Sequence, residues 1–191
     1  MGVSRSQPGY ASMNQDIARL MQVATFAANR HRDQKRKDVA FSPYINHPLA
    51  VAELLASVGQ VTDIDLLSAA LLHDTVEDTA TSLDEISEQF GLKVSQLVAE
   101  VTDDKTLPKM QRKQLQIENA PHKSDQAKQL KIADKICNIR DIDKESPRAW
   151  NRDRKTQYLD WAVKVVAGCR GVNPDLDQLF NDTVTRARNR L

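Results

Sequence analysis

Little in this sequence points to a membrane, an oxidising compartment or a polyanion. Only two cysteines, Cys137 and Cys169, occur in 191 residues, and both fall inside helical patterns. That excludes a disulfide framework of the secreted type. It fits a reduced, cytoplasmic setting with both thiols as small core residues. No apolar run approaches the ~18–20 residues that a membrane span needs. The opening stretch MGVSRSQPGYAS lacks the apolar core of a signal peptide. Met1-Gly2 with Ser6 has the loose form of a myristoylation motif, a pattern short enough to arise by chance. An excess of one charge is missing too: 27 basic residues face 26 acidic ones, for a formal net charge of +1. A nucleic-acid polymer calls for a clustered basic excess. The near balance argues against such a partner and leaves room for a small, locally bound anion.

What is present is helical. Hydrophobic residues make up 40% and charged residues 28% of the chain, enough apolar character for one domain with a core. No sustained period-2 alternation, internal repeat or separating linker interrupts the pattern. The expectation is a single all-α domain over residues 14–191, with roughly eight to ten helices, after a flexible leader at 1–13. Asn14 can cap a first helix reaching Arg30. A basic polar loop, His31 to Asn46, follows. Pro48 suits the first position of a second helix, where its missing N–H costs nothing, and this sets His47 at the cap. The third helix, Asp63 to Asp78, is apolar on nearly every side through Leu72, the mark of a buried helix. Ser82 and Glu85 form a capping box, and Gly91 can end the helix they begin. Thr102 to Lys113 reads as a charged stretch and Ala120-Pro121-His122 as a loop. Ser146-Pro147 and Asn173-Pro174 look like two further helix starts.

Chemistry concentrates where the buried third helix ends. His73, Asp74, Glu77 and Asp78 crowd its last turns. Burying several carboxylates together without a cation is prohibitive, so the chain must either fray into solvent there or bind a metal. His73 and Glu77 are four apart, as are Asp74 and Asp78, which gives two adjacent faces a pair each. A second polar stripe carries Asp134 and Asn138 at the same spacing, extended by Asp141, among apolar Leu130, Ala133 and Ile136. With His47, the candidates are two imidazoles and two carboxylates. A mixed nitrogen and oxygen shell suits a six-coordinate divalent ion, whereas a structural zinc site would favour cysteine. Plainer readings stand beside each of these: a solvated helix end, a capped loop histidine at His47, and a solvated basic loop at Lys35-Arg36-Lys37. Tyr158 shares its face with Trp161 and Ala162 and is equally read as core.

Three ordered motifs then carry a resemblance. Tyr44-Ile45-Asn46-His47-Pro48, Leu72-His73-Asp74-Thr75-Val76-Glu77-Asp78-Thr79 and Ala133-Asp134-Lys135-Ile136-Cys137-Asn138-Ile139-Arg140 resemble successive motifs of the hydrolase domain in RelA/SpoT-type alarmone enzymes. The likeness runs from about Ala18 to Ala167 and is greatest to the small single-domain form, the animal SpoT-homologue type. It implies an HD-type helical hydrolase with one Mn²⁺ per chain on His47, His73, Asp74 and Asp134. It implies that Glu77 and Asp78 handle water and its proton, with base and acid unassigned. It also places Arg36, Lys37, Asn138, Arg154 and Tyr158 at the substrate. The implied reaction removes the 3′-pyrophosphate of ppGpp or pppGpp, a small guanine nucleotide, and synthesis is not expected because the long synthetase regions have no counterpart. Other phosphate substrates remain open, such as the 2′-phosphate of NADPH or a nucleoside phosphate, as does a sensing module that binds without turnover. Whether the chain forms a homo-oligomer is open as well.

Overall fold

Two buried helices organise the chain. The computed structural model describes residues 8–38, 40–145 and 150–191; the Met1-Gly2-Ser6 pattern and the Ser146-Pro147 helix start lie outside them. Ten α-helices occur among the described residues. They are α1 (Pro8–Arg30), α2 (Asn46–Ser57), α3 (Ile64–Leu72), α4 (Thr75–Asp78) and α5 (Leu83–Phe90), then α6 (Leu92–Val101), α7 (Lys109–Asn119), α8 (Asp125–Glu145), α9 (Arg152–Ala167) and α10 (Pro174–Asn189). A short 3-10 turn spans Ala120–His122. The described residues hold no β-strand beyond an isolated bridge between Lys35 and Pro43, in keeping with the all-α expectation.

The first organising helix is α3, in which every residue from Leu66 to Leu72 is buried. It packs against α1, α2, α6 and α8. Its four leucines anchor it, since full burial of one contributes roughly 1.5–3 kcal/mol. Asp63 starts it by accepting from the backbone N–H groups of Asp65 (2.9 Å) and Leu66 (3.4 Å). The second is α8, buried without a break from Leu130 to Cys137. It packs against α2, α3, α6, α9 and α10. Cys137 and Cys169 are buried and unpaired, and burial pushes the Cys137 thiol up to about 12, so both act as core residues.

Helix boundaries depart from expectation in instructive ways. α1 starts at Pro8, ahead of Asn14. α2 starts at Asn46, so His47 lies inside the first turn and Pro48 still falls where backbone N–H groups have no helical partner. The expected third helix is two helices, broken at His73 and Asp74. His73 Nδ1 binds the Ala70 carbonyl (2.8 Å) and Thr75 Oγ1 donates to the Leu72 carbonyl (2.7 Å). Those two carbonyls are the ones a continuing helix would offer to backbone N–H groups, so side chains end the ladder. The charged stretch after Thr102 contains the start of α7, entered through Pro108. α9 starts at Arg152, where Asn151 accepts from Arg154 N at 3.0 Å. Asn173 caps α10 as expected. Ser82 accepts from Glu85 N, but the Glu85 carboxylate pairs with Arg30, so half of the expected capping box forms. Gly91 links α5 to α6 with φ +98°, a conformation that favours glycine. No helix among the described residues is long and apolar enough to cross a membrane.

Candidate metal centre and nucleotide cleft

The break in α3 turns His73 and Asp74 toward the first turn of α2 and the middle of α8. His47 Nε2 lies 3.2 Å from Asp134 Oδ1 and 3.8 Å from Asp74 Oδ2. His73 Nε2 lies 3.2 Å from Asp74 Oδ2 and 3.8 Å from Asp134 Oδ1. One ligand atom each from His47, His73 and Asp134 sits within 4.8 Å of the other two. Neighbouring ligands about 2.1 Å from an ion are about 3 Å apart and opposite ones about 4.2 Å apart, so the spacing suits one cation.

The donor chemistry suits it too. A carbonyl only accepts, so His73 Nδ1 carries the hydrogen bonded to Ala70. The neutral ring then presents an unprotonated Nε2, which is buried without a hydrogen-bond partner. Both Asp134 oxygens are fixed, Oδ1 by Asn138 Nδ2 (2.6 Å) and Oδ2 by Lys135 Nζ (2.8 Å). Burial opposes charge on the His73 ring, yet Asp74 and Asp134 outweigh it and push the ring up to about 9. Burial likewise disfavours the Asp74 carboxylate, but His73 and His47 hold it low. Asp134 is held well below the usual carboxylate range by Lys135 and His47, against the same burial. The pocket therefore demands positive charge, as protons or as a cation.

Glu77 and Asp78 stand beside this cluster on α4. Glu77 Oε2 accepts weakly from Asp103 N (3.4 Å), and Oε1 faces Arg112 (3.6 Å) and Lys105 (3.9 Å). Burial and the Asp103 carboxylate raise Glu77 above its ordinary value. Asp78 pairs with Lys105, and its carbonyl accepts from Gln34 Nε2. The break leaves His73 outside the helix that carries Glu77, whereas one helical turn still joins Asp74 to Asp78, whose N–H donates to the Asp74 carbonyl at 2.9 Å.

A cleft of about 480 Å³ opens next to the cluster. Arg36, Lys37, Asp78, Asn138 and Tyr158 line it, together with Gln34, Tyr44 and Trp150. Arg154 is not in its wall; its guanidinium lies 4.6 Å from the ring centroid of Trp150, which is. Tyr158 lines the cleft and packs against Trp150 and Trp161. Sequence reasoning missed Gln34, Trp150, Lys105 and Arg112. Lys105 and Arg112 lie in the charged stretch Thr102 to Lys113, and no periodic signal marks the other two.

A family model described as an HD domain matches residues 23–167. The chain belongs to the HD domain family. The domain is metal-dependent, and the His47, His73 and Asp134 cluster offers the metal a place in this chain. Human guanosine-3′,5′-bis(diphosphate) 3′-pyrophosphohydrolase MESH1 is 52% identical over 166 residues, covering 87% of this chain and 93% of its own length. The Drosophila melanogaster protein of the same name is 46% identical over 174 residues, covering 91% and 97%. A solved structure, described as a metazoan ortholog of SpoT that hydrolyzes ppGpp and plays a role in starvation responses, superposes with a TM-score of 0.86. It is 45% identical and covers 91% of this chain and 97% of that one. The resemblance to the small single-domain RelA/SpoT-type hydrolases is thus borne out.

Proposed function

We propose that this HD domain hydrolyses the 3′-pyrophosphate of ppGpp or pppGpp, releasing GDP or GTP and pyrophosphate. The observation that carries this is the convergence of two histidines and two aspartates beside a cleft with basic and aromatic walls, in a chain half identical to named 3′-pyrophosphohydrolases. His47, His73, Asp74 and Asp134 would hold one ion per chain, Mn²⁺ in this reading. When bound, it supplies Lewis acidity toward a phosphate oxygen and acidifies water.

The chain's own groups do the rest. Arg36 and Lys37 reach into the cleft and neutralise phosphate charge; the planar guanidinium matches two phosphate oxygens at once. Tyr158 and Trp150 offer aromatic faces to the guanine, with Arg154 behind Trp150. Asn138 holds Asp134 and faces the cleft. Glu77 and Asp78 orient the attacking water and pass its proton. Water oxygen adds to the phosphorus on the 3′-oxygen, that P–O bond breaks, and the 3′-oxygen leaves with a proton. We place the protein in the cytoplasm with its nucleotide substrate, consistent with two buried, unpaired thiols.

Metal-loaded protein should convert ppGpp to GDP and pyrophosphate in equal amounts, measured by anion-exchange chromatography, and faster than it releases phosphate from NADPH or a nucleoside monophosphate. Turnover of NADPH with ppGpp left intact would move the assignment to another phosphate substrate.

A further inference from the structure

We propose that Tyr44 is a positioning residue of the metal centre, holding the Asp74 carboxylate in its ligating orientation. This rests on the metal-site reading above. Tyr44 lies on the loop before α2, and its hydroxyl donates to Asp74 Oδ2 at 2.7 Å. A carboxylate oxygen only accepts, so the phenol hydroxyl is the donor in this contact.

The other ligands show why this contact matters. His73 is fixed through the Ala70 carbonyl, and Asp134 through Asn138 and Lys135. Asp74 is the most open of the four, with a side chain 20% exposed against 11% for Asp134. Apart from the two imidazoles, Tyr44 is its single side-chain partner among the described residues. Without that hydroxyl an open carboxylate can swing toward the cleft and its water.

The ring that delivers the hydroxyl is itself braced. His31, 1% exposed, stacks on it with centroids 4.8 Å apart and planes 27° from parallel. The Arg36 guanidinium lies 5.5 Å from its centroid. His31 meets Gln34 Oε1 at 2.5 Å, and Gln34 Nε2 in turn reaches the Asp78 carbonyl. The backbone closes the loop, with Tyr44 N donating to Gln34 O at 3.1 Å. A phenol held this firmly transmits its position to the carboxylate it touches, and loss of such an outer partner weakens metal affinity about 10–100-fold.

The test uses Tyr44→Phe, which keeps the ring and its stacking and deletes the hydroxyl. Metal-stripped wild-type and variant proteins are titrated with Mn²⁺ by equilibrium dialysis, with the ion counted by atomic emission. The thermal midpoint of each metal-free protein is recorded beside it. The expected result is Mn²⁺ affinity about 10–100-fold weaker in the variant, with the metal-free midpoints equal. Equal affinities overturn the proposal, and so does a weaker affinity accompanied by an equally lowered metal-free midpoint, which marks a general structural role. Failure of the wild type itself to bind the ion sinks the metal-centre reading, an outcome visible without the variant.

Discussion

Arg36 and Asp141, 105 residues apart in sequence, form an ion pair at the rim of the cleft, with Nη2 2.5 Å from Oδ2. The same nitrogen also lies 3.3 Å from Asn138 Oδ1. Burial lowers the guanidinium's pKa, but Asp141 outweighs it, so the group stays charged and aimed at α8. In the proposed reading a substrate phosphate competes with Asp141 for it. Arg36→Ala removes one or two charged hydrogen bonds, worth about 1.5–3 kcal/mol each, and should raise KM for ppGpp by about 10–100-fold. Metal content should not change, and steady-state kinetics with metal analysis checks both. Asp141→Asn releases the guanidinium to the nucleotide and should lower KM.

Asp78 pairs with Lys105, and Glu77 faces both Lys105 and Arg112, on the segment after α6. Glu77→Gln and Asp78→Asn, each alone, should lower kcat by about 10²–10⁴-fold while ppGpp binding by calorimetry and metal content persist. Unaltered turnover in both variants would remove them from the proton path.

Proton and metal compete at His73. Its folded value, about 9, stands above the ordinary 6.5. In metal-free protein the stability contributed by the charged ring is complete below about pH 6.5 and is lost as pH rises toward 9. Asp74 and Asp134, depressed below 3.8, behave oppositely: their contribution is present above that value and lost as acid protonates them. Thermal midpoints in chelator should therefore be highest at about pH 4–6.5 and fall on either side. Mn²⁺ affinity should strengthen from about pH 6.5 to 9, since the ring must shed its proton to ligate. At a hundred times its dissociation constant the ion adds about 2.7 kcal/mol, or roughly 5–10 °C in a domain of this size.

The buried run Leu66–Leu72 and the four-residue spacing of Asp134 and Asn138 were legible because one helix carries each signal. The meeting of His47, His73 and Asp134 was not written in any local period, because it depends on how α2, α3 and α8 pack; motif order supplied it. The break at His73 and Asp74 stayed hidden for a different reason. Apolar spacing reports which face is buried, whereas the break follows from His73 and Thr75 side chains capturing the Ala70 and Leu72 carbonyls. Gln34 reads as loop polarity and Tyr44 as one member of the motif around His47, and their contacts appear once the loop folds back over Asp74 and Asp78. Charge without strong apolar periodicity likewise concealed α7, in which no residue is fully buried.

Anomalous diffraction at the manganese edge, from crystals grown with Mn²⁺, tests the central claim most directly. The expected result is one strong peak per chain within bonding distance of His47 Nε2, His73 Nε2 and carboxylate oxygens of Asp74 and Asp134. A peak elsewhere, or an ion that leaves out His47 and Asp134, would contradict it.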